Sequence, residues 1–304
     1  VRHLDIKREM GVADVATVSE LLADAERADG HRPLSDHLWL DLVHGGRPGF
    51  AGLVAWEPGH EHPVAYAQLS RGNDSWALEL VVHPHHRYDM HVLGPDILGA
   101  ALDVVREEGG GHVHWWVFEP SSVHADLART VGLTPGRRLF QMRRDLPAGL
   151  PVDIVTRPFE PGRDEAAWLM VNNQAFAGHP EQGGWTLDTL LRREDEPWFD
   201  PTGFLLHEVN GRLAGFCWTK LHRDTDPPLG EIYVIAVDPD FHGRGLGRQL
   251  TLAGLDSIAH RGVDVGMLYV DGDNLAALTL YRDLGFTTHR TDQAFVGDLP
   301  APVA

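Results

Sequence analysis

The sequence predicts an α/β protein made of two tandem copies of one fold, each a mixed sheet with helices on both faces. Three observations predict it. Leu78-Glu79-Leu80-Val81-Val82-His83-Pro84 is matched by Tyr233-Val234-Ile235-Ala236-Val237-Asp238-Pro239, each an apolar strand ending at a proline. Leu127-Ala128-Arg129-Thr130-Val131-Gly132-Leu133 is matched by Leu280-Tyr281-Arg282-Asp283-Leu284-Gly285-Phe286, each a helix stopped by a glycine and followed by a strand. Pro84 and Pro239 lie 155 positions apart and Gly132 and Gly285 lie 153 apart, a near-constant offset that marks a duplication.

Between the copies, Asp145-Leu146-Pro147-Ala148-Gly149-Leu150-Pro151 has the composition of a linker, so domains are expected at 1–146 and 152–304. In the second copy the pattern predicts a strand at 156–159 and a helix at 164–175. Strands at 203–209 and 211–221 follow, joined across Asn210-Gly211 as a hairpin. Next come an apolar strand at 231–237, a helix at 245–260 with apolar residues at helical spacing, a strand at 265–270, a helix at 274–284 and a last strand at 287–295.

The bulk properties narrow the chemistry. The 304 residues suffice for two cores, and 43% hydrophobic content is that of a globular protein. A formal net charge of −18 repels a phosphate backbone and argues against nucleic acid as a partner. Cys217 is the only cysteine, which excludes an internal disulfide and fits a reducing compartment. No apolar run approaches the roughly 20 residues that span a bilayer, and a cytoplasmic monomer is expected. His83-Pro84-His85-His86-Arg87 and His60-Glu61-His62 lack the helical i, i+4 spacing of a zinc site, so they are read as solvated loop histidines and no metal is expected.

The chemistry concentrates after Val237, where His242-Gly243-Arg244-Gly245-Leu246-Gly247 leads into a helix. Small residues let backbone close on a ligand, and the free amides and dipole of a first helical turn attract an anion, so this turn reads as a pyrophosphate cradle. With Asn274 at the start of a later helix and Tyr281-Arg282-Asp283-Leu284-Gly285-Phe286 at its end, the segment resembles the GNAT superfamily of acetyl-CoA-dependent N-acetyltransferases. His242 departs from the glutamine or arginine that leads the superfamily signature. The resemblance implies two GNAT domains with mostly antiparallel sheets. Ile235, Ala236 and Val237 would receive the acetyl-pantetheine arm, the Val237 amide polarising the thioester carbonyl. Amides from His242 through Gly243, Arg244, Gly245, Leu246 and Gly247 to Arg248 would hold the pyrophosphate. Asn274, Leu275, Ala276, Ala277, Leu278 and Thr279 would line the far side of the arm.

Acyl transfer to an amine needs a neutral nucleophile and a protected leaving group. Glu231 lies on the strand entering the cradle, and strict alternation would put it on one face with Tyr233, Ile235 and Val237, as a base for the ammonium proton. Its bland alternative is a salt-bridged carboxylate. Tyr281 is placed to hydrogen-bond the departing thiolate; its bland alternative is a core tyrosine. The first copy has Trp76, Ala128 and Ser121 at the offsets of Glu231, Tyr281 and Asn274, and no glycine cluster after Pro84. It is therefore expected to be catalytically degenerate, with at most a weak cofactor contact through Leu80, Val81 and Val82.

The acceptor is suggested by Asn172-Asn173-Gln174-Ala175-Phe176-Ala177-Gly178-His179-Pro180-Glu181-Gln182-Gly183-Gly184-Trp185, then Trp198-Phe199-Asp200-Pro201, which read as a loop shaping a polar pocket. With Phe216-Cys217-Trp218-Thr219-Lys220-Leu221-His222 and Leu229-Gly230-Glu231, this resembles the mycothiol synthases, a tandem-GNAT family of actinobacteria, over nearly the whole chain. That resemblance implies acetylation of the cysteinyl amine of a cysteine-glucosamine-inositol conjugate. Glu181 and Glu231 would bind the ammonium, Lys220 and Tyr269 would donate to sugar or amide oxygens, and Asp36 would reach the polyol. Two alternatives stay open: a tandem GNAT enzyme for another amine, such as an aminoglycoside or a peptide N-terminus, and a non-catalytic acetyl-CoA sensor.

Overall fold

A computed structural model describes residues 3–60, 62–72, 75–179 and 182–302. The chain forms two compact units, Val1–Arg138 with Thr291–Ala304, and Leu139–Arg290. The two sequence repeats follow one order of elements. The first has β1 (His3–Lys7), α1 (Val12–Asp29), α2 (Asp36–Val43), β2 (Phe50–Trp56), β3 (Ala65–Arg71), β4 (Ser75–Val82), α3 (Met90–Glu107), β5 (Gly111–Phe118), α4 (Ser122–Thr130) and β6 (Thr134–Asp145). The order repeats as β7 (Arg157–Pro158), α5 (Glu165–Ala175), α6 (Leu187–Glu194), β8 (Phe204–Val209), β9 (Arg212–His222), β10 (Leu229–Val237), α7 (Leu246–His260), β11 (Val265–Asp271), α8 (Leu275–Asp283) and β12 (Thr287–Leu299).

The compact units are not the consecutive halves 1–146 and 152–304. The strand that completes each repeat in sequence is shared between units: β12 pairs antiparallel with β5 in the first, and β6 pairs antiparallel with β11 in the second. Local patterning marks both segments as strands but carries no information about which neighbour completes a sheet.

In the first unit the sheet runs β1-β2-β3-β4-β5-β12, with only β4 and β5 parallel. Val18, Leu21, Leu38 and Leu42 bring α1 and α2 against one face, and Leu93, Ile97 and Leu127 bring α3 and α4 against the other. The second unit repeats this as β6-β11-β10-β9-β8-β7, with β10 and β11 parallel. Trp168 and Leu190 of α5 and α6 join Phe204, Phe216 and Trp218 on one face, while α7 and α8 cover the other through Leu250, Leu255, Ile258 and Leu278. α7 lies so close that a Cβ on Gly254 would come 2.4 Å from Cys217 Sγ. The expected β8–β9 hairpin turns at Asn210 and Gly211, both left-handed at φ 52° and 75°, as a type I′ turn requires. Among the described residues no helix is long and apolar enough to cross a membrane.

Candidate active site

The second unit opens a cavity of about 310 Å³ where β10, the following turn, α7 and α8 meet. A local irregularity in β10 lies beside it. Opposite β9, Ile232 pairs with Thr219 but Val234 pairs with Trp218, so Tyr233 is the extra residue of a β-bulge. On the other edge, parallel pairing with β11 covers only Gly230, Glu231 and Ile232. The strands part at the bulge, and the stretch beyond it, Ile235, Ala236 and Val237, lines the cavity.

The bulge corrects the expected facing of Glu231. One added residue inverts the alternation, so Ile232 and Ile235 both lie in the core beneath α7, while Tyr233, Val234 and Ala236 face the aromatic cluster under α5 and α6. Glu231 pairs with Lys220 on that aromatic side, not with Ile235 and Val237. It is buried and sits one residue before the strands separate.

The turn after Val237 is fixed by its own side chains. Asp238 accepts from the Asp240 amide at 2.9 Å and from Arg212 at 2.7 Å, and Arg212 also donates to Asp240 at 2.7 Å. His242, the departure from the signature, ties the turn back to the strand, its Nε2 donating to the Val237 carbonyl at 3.0 Å. Gly243 and Gly245 are left-handed at φ 76° and 74°, and Gly245 caps α7 with no side chain across its axis. Gly245, Leu246 and Gly247 line the cavity, and the amides of a first helical turn have no intrahelical partner, as an anion requires.

On the far wall, Asn274 accepts from the Ala277 amide at 3.1 Å and caps α8. Asn274, Ala277, Leu280 and Tyr281 line the cavity; so does Thr251, which sequence patterning did not single out. Leu278 instead packs into the core, Leu275 is exposed, and Thr279 donates back to the Leu275 carbonyl. Helical periodicity separates these neighbours, so a run of six residues cannot all face one ligand. Burial, with Cys217 nearby, pushes the Tyr281 hydroxyl up to about 12.

Beside the cavity the sheet carries a polar row. His222 Nε2 donates to Glu231 Oε2 at 2.7 Å. Lys220 is buried with its Nζ 4.4 Å from the Trp198 ring centre and 5.5 Å from that of Tyr233. Met267 is the register partner of Glu231, and Tyr269, two residues on, shares its face. The Tyr269 hydroxyl accepts from Gln141 at 2.8 Å and Arg290 at 3.4 Å, and Arg143 donates to Gln141 at 2.9 Å. His222, Gln141, Arg143 and Arg290 were not anticipated. Strand pairing brings them together, and Gln141 and Arg143 come on β6 from the other sequence repeat. Trp185 and Trp198, expected in a pocket loop, are also packing residues joined to Trp168 and Trp218, while Asn173 holds Trp185 through both its backbone groups. Glu181 lies outside the described residues.

The first unit keeps the parting of strands but not the cradle. Pairing of β4 with β5 ends at Glu79, leaving Leu80, Val81 and Val82 beyond it, and β4 pairs with β3 without a bulge. A 3₁₀ turn over Pro84–Asp89 leads into α3 with no glycine. Asp36 opens α2 of this unit.

A model of the acetyltransferase (GNAT) family matches residues 168–286, the stretch from α5 to the end of α8. The mycothiol acetyltransferase of Thermobispora bispora is 45% identical over 92% of this chain and 94% of its own length. That of Acidimicrobium ferrooxidans is 42% identical over 93% and 94%. Among solved structures, a tandem GNAT protein from the clavulanic acid biosynthesis pathway superposes with a TM-score of 0.71 over 99% of this chain and all of its own, at 17% identity, a likeness of fold.

Proposed function

The chain belongs to the mycothiol acetyltransferase family of tandem GNAT enzymes, and from that premise we propose that it moves the acetyl group of acetyl-CoA to the cysteinyl α-amine of a cysteine-glucosamine-inositol conjugate. The observation that supports the assignment of the active unit is the parting of β10 from β11 at the Tyr233 bulge, with Glu231 one residue before that parting and the α7 cradle beyond it. Among the described residues only the second unit combines these.

In this reading the α7 amides, with Arg244 and Arg248, hold the pyrophosphate, and the free edge of β10 at Ile235, Ala236 and Val237 takes the pantetheine arm as a strand would. Glu231, directly or through water, accepts the proton of the acceptor ammonium, and His222 holds that carboxylate in place. An α-amine titrates near ~8, so a modest base suffices. The neutral nitrogen attacks the thioester carbonyl, polarised by the Val237 amide; a C–N bond forms, the C–S bond breaks with coenzyme A leaving as thiolate, and the surplus proton of the nitrogen passes to water. Tyr281 meets the departing sulfur as a hydrogen-bond donor. With its hydroxyl near 12 and a thiol near 8.5, full proton transfer would be uphill by roughly 5 kcal/mol, so donation without transfer is its role. The row Lys220, Tyr269, Gln141, Arg143 and Arg290 is rich in donors and suits hydroxyl-rich sugar rings.

Mass spectrometry of acetyl-CoA incubated with the protein and the cysteinyl conjugate tests this. N-acetyl product is expected, and none from the same compound without its cysteine. Equal use of an aminoglycoside would favour another amine as the natural acceptor.

A further inference from the structure

The histidines that sequence spacing left as separate, solvated loops converge in the first unit. His60 and His62 come from the β2–β3 connection and His86 from the turn after β4. One ring nitrogen from each lies within 4.8 Å of the others. The rings of His60 and His86 stand 4.7 Å apart. The burial of His86 corrects the solvated reading: it is 4% exposed, and its Nδ1 has no hydrogen-bond partner. The Glu57 carboxylate, at 3.9 Å from that nitrogen, is beyond hydrogen-bond reach.

The duplication shows what this cluster replaces. Val82 faces Ala65 as Val237 faces Gly215, and the His83 amide donates to Val64 as the Asp238 amide donates to Ala214. By that register His83 corresponds to Asp238 and His62 to Arg212. In the second unit the corner is locked by the ion pair between Arg212 and Asp238. In the first, two imidazoles meet at 4.4 Å between ring centres. His83 has both nitrogens engaged, Nδ1 accepting from the His85 amide and Nε2 donating to Asp24 at 3.2 Å. It therefore braces the corner, while His60, His62 and His86 remain to converge on a common point.

We propose that His60, His62 and His86 form a binding site for a borderline divalent transition cation of the zinc class, with Glu57 or water in the fourth position. Three imidazoles and an oxygen are a sufficient ligand set for such an ion. A tetrahedral ion with nitrogen bonds of about 2.05 Å needs ligand atoms about 3.4 Å apart, so the cluster must contract by roughly 1 Å. Rotation of the exposed His60 and half-buried His62 rings supplies that movement. Burial first, then the neighbouring His60, holds His86 below the usual imidazole range, which favours the neutral form that ligates. The ion would do for this corner what Arg212 does for the other.

The probe is cobalt(II), added to the full chain after dialysis against a chelator. One equivalent per chain, a visible ligand-field absorption band and a raised melting temperature are expected. The double variant His60→Asn, His62→Asn alters only accessible side chains and should keep the circular dichroism of the parent while binding at least tenfold more weakly. Failure of the parent to bind, or equal binding by the double variant, overturns the proposal.

Discussion

His222 Nε2 lies 2.7 Å from Glu231 Oε2, joining the end of β9 to the residue of β10 that precedes Ile232 and the bulge. A side chain from a neighbouring strand thus fixes the carboxylate one residue before β10 and β11 part.

Removing the charge of Glu231 should expose its work as a base. Glu231→Gln is expected to lower kcat on the order of 10²-fold at pH 7 and less at pH 9, where the amine is already neutral. Steady-state rates across that range decide it; a loss equal at both pH values would mean a binding role.

His222→Asn removes the brace but leaves the carboxylate. A fall of about tenfold in kcat with an unchanged KM for acetyl-CoA is expected. A rise in that KM alone would show that the pair supports the cofactor wall instead.

Tyr281→Phe removes a donor without changing shape. Because the hydroxyl is pushed up to about 12, it stays protonated across the working range, and the rate loss, on the order of tenfold, should be flat from pH 6 to 9. A loss that vanished as pH rose would contradict the assignment.

Gly247 lines the cradle without a left-handed backbone, and a Cβ there meets nothing nearer than Leu280 at 3.9 Å. Gly247→Val should fit the fold yet obstruct the phosphates. Acetyl-CoA affinity by calorimetry should fall at least tenfold, with little change in melting temperature.

Asp164 tests the scaffold. Arg157 donates to it at 2.6 and 2.9 Å and holds its carboxyl below the usual range, against burial. A carboxyl depressed in the folded state stabilises above its unfolded value near 3.9, and that contribution is lost as pH falls through the folded one. Asp164→Asn should therefore cost roughly 2–3 kcal/mol at pH 7, and the gap in melting temperature should narrow as pH falls below the usual carboxylate range.

Much of this protein was legible in one dimension because its signals are local. Glycines at 243, 245 and 247 must sit where the backbone turns tightly and nears an anion, Asn274 must cap a helix, and Asn210-Gly211 must turn a hairpin; each follows from neighbours a few residues away. The duplication was equally plain, since its offsets survive divergence. Tertiary structure decided what depends on register between distant strands. One extra residue at Tyr233 put Glu231 on the face opposite Ile235 and Val237, beside the place where β10 parts from β11; the exchange of β6 and β12 supplied Gln141 and Arg143 to the polar row; and two loops, some 20 residues apart in sequence, brought His60 and His62 to His86. A strand's pattern states which of its residues alternate, but hydrogen bonding to a partner sets where the alternation slips and what lies opposite.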